Sequence, residues 1–280
     1  MKKSVTGNKT GSILKTAFLI LWAGIQLFPI YWMFTFSLKS NGEIFGQNVI
    51  GLPREWLWSN YEKALTIGHM LRYFGNSLIV AAGSILITTL FSLMATYALT
   101  RLVWKGRGFV NSVFMLGLTI PIHAALLPIF MIMRNLKMLN SYQSLILPYA
   151  AFSLAMAILV AGSFMEGIPA ELEESACMDG CGTYGIFWRI ILPLMKPAFS
   201  TIAIFTFLNS WNEFMFAIVF ISDSKYKTLP VGIQELFGQY MTDWGPIGAA
   251  LVIATFPTLI VYCFMSGKIQ ESMIMGAIKG

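Results

Sequence analysis

Six stretches of this chain, at 13–36, 77–99, 109–133, 143–164, 199–221 and 247–265, are apolar and almost free of charge. A helix rises about 1.5 Å per residue, so a run of about 20 apolar residues crosses the roughly 30 Å hydrocarbon layer of a bilayer. The pattern predicts an all-α integral membrane protein with six transmembrane helices. Composition supports this: 56% of the 280 residues are hydrophobic and 11% are charged. An average soluble chain carries about 25% charged residues, so a soluble fold would lack the charge to cover this much apolar surface. Pro29, Pro121, Pro128, Pro148 and Pro257 lie inside the runs. In a bundle, neighbouring helices satisfy the carbonyls that proline frees, so these positions predict kinks.

The net charge of +6 does not point to nucleic acid, because the basic residues cluster at the ends of the apolar runs and anchor them. Lys2, Lys3, Lys9 and Lys15 precede or open the first run, which no small-residue cleavage site follows. It is read as a retained first span rather than a signal peptide. Arg101, Lys105 and Arg107 crowd the short connection between the second and third runs. With the N-terminal lysines they place that side in the cytoplasm, and six spans return the C-terminus to the same side. Arg134 and Lys137 dissent mildly. The long segments 37–75 and 222–246 are then external, and their Trp58, Tyr61, Tyr226 and Trp244 suit a membrane interface or a docking surface. The expected organisation is a cytoplasmic segment at 1–12 followed by one transmembrane domain over 13–280, with no internal repeat.

Chemistry is sparse. Cys177, Cys181 and Cys263 imply no disulfide framework, and His69 and His123 lie far in sequence from the cysteine pair, so no metal site is expected. There is no Gly-x-x-x-x-Gly-Lys-Ser/Thr run, no nucleophile elbow and no His-Glu-x-x-His pattern. The 17 methionines are dispersed through apolar spans and read as packing residues. No catalytic residue and no bound cofactor are expected for this chain.

The polar stretch 166–197 is predicted as a cytoplasmic helix–turn–helix between the fourth and fifth spans. Pro169 suits a first helical turn. Glu171, Glu173 and Glu174 suit the positive end of a helix dipole. Leu172 and Ala176 are four apart and share a face. Gly180 fits the left-handed residue that ends a helix, and Thr183 is placed to cap the next one. Ile186, Phe187, Ile190 and Ile191 supply an apolar face, and Pro193 is expected to stop it. The product is a compact knob able to pass a push from a soluble partner into the spans it joins.

An ordinary amphipathic loop accounts for these helices but not for their spacing. Glu174-Ser175-Ala176, three residues, Gly180, nine residues, then Ile190-x-Leu192-Pro193 resembles the cytoplasmic EAA loop of ABC importer permeases, with Ser175 in place of the central alanine. Asp179 beside Gly180 also fits. The resemblance covers most of the chain and favours the carbohydrate branch, the maltose-type permeases. It includes Pro53 to Tyr61, Phe74 to Val80, Pro121 to Pro128, Leu139 to Tyr149, Trp211-Asn-Glu-Phe214 and Thr228-Leu-Pro230. The terminal Gly276-Ala-Ile-Lys279-Gly280 is similar to that branch's tail.

The resemblance implies a multi-pass permease of a bacterial cell membrane, with both termini cytoplasmic. It implies pairing with a second, different permease, two ABC ATPase subunits and an extracytoplasmic solute-binding protein that delivers a sugar. ATP and Mg would be bound by the ATPase subunits. Glu171, Glu174, Ser175, Ala176, Asp179, Gly180, Ile190, Leu192 and Pro193 would form or shape the ATPase contact, and Gly276, Lys279 and Gly280 would reach between the ATPases.

Glu213 lies inside the fifth apolar run beside Asn209, Trp211 and Asn212. A charge at mid-membrane costs about 2.5–3.5 kcal/mol on insertion scales and usually faces a bundle interior or a wet cavity. Either these four residues line the solute path, or Glu213 makes a structural hydrogen bond to a neighbouring helix or subunit. A stand-alone secondary transporter would need more intramembrane ionisable groups, and a membrane enzyme would need a polar catalytic cluster. A non-sugar solute such as a glycerol phosphate is the alternative cargo.

Overall fold

The computed structural model of the chain describes residues 9–238 and 242–277, and among these every regular element is helical. In chain order they are α1 (Lys9–Ser37), α2 (Asn41–Ile44), α3 (Ser59–Thr66), α4 (Met70–Thr100), α5 (Arg107–Leu116), α6 (Leu126–Asn135) and α7 (Gln143–Met165). There follow α8 (Glu171–Met178), α9 (Thr183–Ile186), which a π-helical run Phe187–Ile191 joins to α10 (Leu192–Leu194), then α11 (Lys196–Asn212), α12 (Met215–Phe220), α13 (Leu229–Glu235) and α14 (Trp244–Ala277), with 3-10 turns at Gly117–Thr119 and Ile122–Ala125 between α5 and α6. Four helical stretches are long and apolar enough to cross a membrane: Ser12–Ser37, Met70–Thr100, Gln143–Met165 and Trp244–Phe264. Two bent pairs raise this to six when each pair is taken as one span.

Two apolar runs depart from the continuous spans expected of them. The run at 109–133 is split into Arg107–Thr119 and Ile122–Asn135, which meet at 99°. The cause is local. Ile120 takes an extended conformation (φ −81°, ψ 115°) because the ring of Pro121 disfavours the helical region for the residue before it. The run at 199–221 is helical to Asn212, extended at Glu213 (φ −72°, ψ 127°) and helical again over Met215–Phe220. By contrast, α7 runs through Pro148 and α14 through Pro257.

The described residues form two compact units, one drawn from 9–69 with 235–238 and 242–255 and the other from 70–234 with 256–277. In the first, the chain after α1 is held by side-chain hydrogen bonds. The Asn60 amide donates to the carbonyls of Ser37 (2.9 Å) and Lys39 (3.1 Å). Asn41 donates to the Thr242 carbonyl and accepts from the Trp244 N–H, which fixes the start of α14. Gly245 passes so close that a Cβ there would lie 2.7 Å from the Lys39 carbonyl oxygen. Most of α1, from Ile13 to Phe34, exposes large apolar side chains, as a lipid-facing span does.

In the second unit α4, α7 and α11 pack together. Ser84, Thr88, Ser92 and Thr96 of α4 are buried, as are small residues of α7 such as Ala150 and Ala157. Small side chains let membrane helices approach closely, and the Thr88 hydroxyl donates to the Ala150 carbonyl at 3.4 Å. One end of the bundle is pinned by asparagines. Asn76 donates to the carbonyls of Lys225 and Lys227 and accepts from the Tyr142 hydroxyl. Asn140 (φ 54°) accepts the backbone N–H groups of Ser222 and Asp223.

Candidate functional site

Two places in the second unit stand out. The first is the knob. Helix α8 opens with Glu171, Glu173 and Glu174 in its first turn, where the helix dipole favours negative charge. It ends in a Schellman motif. The Cys181 N–H bonds the Ala176 carbonyl (2.9 Å), the Gly180 N–H bonds the Cys177 carbonyl (3.0 Å), and Gly180 is left-handed at φ +80°. Three local details differ from the sequence reading. Pro169 lies before α8, outside its first turn. Gly182, not Thr183, is the N-cap of α9, and no side chain caps it. Pro193 lies within the helical turn Leu192–Leu194, and the chain bends by 73° at Met195 instead. The helix is continuous from Thr183 to Leu194, and a π-helical run at Phe187–Ile191 immediately precedes Pro193; the wider i→i+5 pattern shifts the local hydrogen bonds where the proline lacks an N–H.

The knob is seated by an apolar floor. Ala176, Ile186, Phe187 and Ile191 are buried against Leu93 and Tyr97 of α4 and Ala157, Ala161 and Met165 of α7. Ile190 and Leu192 pack at the edge of that cluster. Glu171, Glu174, Ser175, Asp179, Gly180 and Pro193 are exposed, while Ala176 is buried. Leu172, four residues before Ala176, is exposed as well. Two large side chains beside these residues, Met178 and Tyr184, are 89% and 82% exposed. The knob therefore combines a rigid seat with an outer face of carboxylates and unburied apolar groups, a surface made for a protein partner.

The floor also contains a charge pair that the sequence reading did not single out. Arg101, just past α4, has its Nε 3.1 Å from Glu173 Oε1, and both side chains are mostly buried. Arg101 had been read only as an orientation signal, and nothing in its spacing from Glu173 announces the pair.

The second place is a cavity of about 510 Å³ at the two breaks in the spans. Asn209, Asn212 and Glu213 line it, together with Gly117 and His123 from the α5–α6 break and Tyr149, Phe152 and Ser153 of α7. Trp211 does not. It is 2% exposed, stacked on Phe207 (5.2 Å between centroids) and edge-on to Phe74. Neighbouring residues on a helix point about 100° apart, so Trp211 faces the packed interior while Asn209, Asn212 and Glu213 face the cavity.

Glu213 is held on several sides. Oε2 accepts the Tyr149 hydroxyl at 2.6 Å, and the carboxylate accepts the N–H groups of Phe216 (3.0 and 3.1 Å) and Ala217 (3.3 Å). It thus caps the orphan donors of α12 as an N-terminal cap does. The structural hydrogen bond to a neighbouring helix, one of the two readings the sequence offers, is made by a residue that also lines the cavity. Tyr149 and His123 were missed because an aromatic or a lone histidine inside an apolar run carries no signal of what it faces. No cluster of three or more metal-ligating side chains occurs among the described residues. Gly276 falls within α14, whereas Lys279 and Gly280 lie outside the described residues.

Comparison with known proteins agrees with this architecture. Residues 88–273 match the family described as binding-protein-dependent transport system inner membrane component. The probable ABC transporter permease protein YurM of Bacillus subtilis is 36% identical over 94% of this chain and 87% of its own. The diacetylchitobiose uptake system permease protein NgcG of Streptomyces coelicolor is 32% identical over 99% of this chain and 92% of its own. A chain of a bacterial ABC transporter involved in the import of alginate shares the fold, with a TM-score of 0.82 and 22% identity over 95% of this chain and 99% of that one. The chain belongs to the inner membrane components of binding-protein-dependent transport systems, the permease subunits of ABC importers.

Proposed function

We propose that this permease moves a neutral sugar or oligosaccharide, and that its knob is where the ATP cycle of a separate subunit is felt. The observation that carries the cargo reading is the cavity at the span breaks. Its polar groups are mainly uncharged, its one carboxylate is committed to Tyr149 and α12, and Tyr149, Phe152 and Phe214 supply aromatic faces. Sugars suit aromatic faces with polar rims. Relatives whose names carry diacetylchitobiose, arabinooligosaccharides and trehalose/maltose support the same reading.

In this scheme the chain sits in a bacterial cell membrane with both termini cytoplasmic and pairs with a second, different permease. Two ABC ATPase subunits hold ATP and Mg, and a solute-binding protein delivers the cargo outside. Glu171, Glu174, Ser175, Asp179 and Gly180 form the outer face met by one ATPase, and Ala176, Ile190, Leu192 and Pro193 set its shape. Gly276, Lys279 and Gly280 reach between the ATPases. Asn209, Asn212 and Glu213 line the path. The test is uptake by proteoliposomes holding the complete importer, its binding protein and internal ATP, with labelled disaccharides, oligosaccharides and glycerol phosphate as probes. ATP-dependent accumulation of a neutral sugar is expected. Accumulation of glycerol phosphate alone would overturn the cargo reading, and accumulation without the ATPase subunits would overturn the importer reading.

A further inference from the structure

Arg101 does more than neutralise a carboxylate. Its Nη2 donates to the Met165 carbonyl (2.8 Å), the last residue of α7, and to the Ile168 carbonyl beyond it. Its Nε faces Glu173 in the first turn of α8 at 3.1 Å, with the two side chains 19% and 15% exposed. Tyr97, one turn earlier on α4 and buried, adjoins the same carboxylate. A planar guanidinium offers five donors in a fixed fork, so one side chain is oriented by several partners at once. On α8 this divides the acidic first turn. Glu171 and Glu174 are exposed, while Glu173 is turned inward. Burying an ion pair costs desolvation, and an apolar pair would serve packing as well. What the charged fork adds is a specific link between three chain segments.

We propose that Arg101 is a positioning residue that locks α8 to the ends of α4 and α7, so that a push on the knob moves these spans as one body. The proposal rests on the reading of the knob as the ATPase contact. A pair that served stability alone would change the amount of folded permease. A pair that transmits motion sets how far events outside the membrane control hydrolysis inside.

The test uses the complete importer in lipid nanodiscs, with MgATP and the system's own binding protein as isolated. The readout is the ratio of hydrolysis with and without binding protein. Glu173→Gln and Arg101→Lys are expected to retain the ATPase subunits but to lower the ratio about fivefold or more, the scale of a coupling free energy between sites. The double variant is expected to lose no more than either single one, because both remove the same link. A ratio within twofold of wild type in both single variants overturns the proposal. Glu174→Ala separates the two readings, because the outer face predicts that it weakens ATPase retention. If it loses the ATPase while the Arg101 and Glu173 variants keep a normal ratio, the proposal fails and the knob reading stands. If Glu174→Ala and Gly180→Ala both keep the ATPase, the knob reading itself fails.

A second measurement leaves the pair intact. Spin labels replace Val103 and Met178, both nearly fully exposed, in a chain whose three cysteines are serine. The distance between them is expected to stay constant to within one helical turn, about 5 Å, between nucleotide-free and vanadate-trapped importer. A larger change overturns the lock.

Discussion

Glu213 shows how a residue's identity and its role separate. A carboxylate inside an apolar run is visible in any hydropathy trace, and so are Asn209 and Asn212 beside it. Its partner Tyr149 is 64 residues away and lies in another apolar run, so their hydrogen bond exists only in the fold. Replacing Glu213 by glutamine turns an amide toward the N–H groups of Phe216 and Ala217 and removes the charge that strengthens these bonds. A hydrogen bond to a charged group contributes about 1.5–3 kcal/mol, so the variant is expected to unfold at a lower temperature in detergent. Its uptake is expected to fall about tenfold, the rate equivalent of roughly 1.4 kcal/mol. Uptake and assembly at wild-type levels would contradict the role given to this site. Lys39 is a second case. It is fully buried and donates to the carbonyls of Asn48 (2.8 Å) and Val49 (3.2 Å). Lys39→Met removes that donor from two carbonyls, at a cost of about 1–3 kcal/mol readable by thermal unfolding. Burial pushes the Lys39 ammonium below the ordinary lysine range, with the nearby Glu43 opposing. The folded state therefore holds this proton less tightly than the unfolded one. Its contribution to stability improves as pH rises through the lowered value toward 10.5, and Lys39→Met is expected to flatten that rise.

The helices differ in how well the sequence announced them. Uninterrupted hydropathy marks α7 and the apolar part of α14 to within three residues, because a membrane span is a one-dimensional signal, whereas α4 begins at Met70, seven residues before the apolar run expected at 77–99. The bends were not legible in the same way. Pro121 and Pro148 both lie in apolar runs, yet only the first sits at a 99° bend, and α7 runs through the second. The difference depends on which neighbours receive the freed backbone groups, which no local pattern records. The break at Glu213 is stable because the side chain of the breaking residue caps the next helix. At the knob, the acidic first turn of α8 and the left-handed turn at Gly180 were legible because they are local, whereas the start of α9 and the stop expected at Pro193 were not. Gly180 tests this directly. No heavy atom lies within 4 Å of a Cβ added there, so a substitution acts through φ +80° alone. Alanine in the left-handed region costs about 1–2 kcal/mol, while asparagine visits it more readily. Retention of the ATPase in pull-downs is expected to fall in the order glycine, asparagine, alanine, and an alanine variant equal to wild type would contradict the turn's role.

At the scale of the whole molecule, an exposed acidic and apolar knob and a polar cavity at broken spans lie in one helical unit, with α4, α7 and α11 running between them. That arrangement suits a subunit that converts a partner's motion into access for a solute. The family was readable from the EAA spacing. The Arg101–Glu173 link and the cavity's composition were not, because both depend on contacts between segments more than sixty residues apart or on opposite sides of a bend. The measurement that bears most directly on the central claim is recovery of ABC ATPase with the tagged permease, comparing wild type with a chain whose residues 171–182 are scrambled. Stoichiometric recovery with wild type and loss with the scrambled chain, at equal amounts of folded permease, is the predicted result. ATPase recovered equally with both would contradict it.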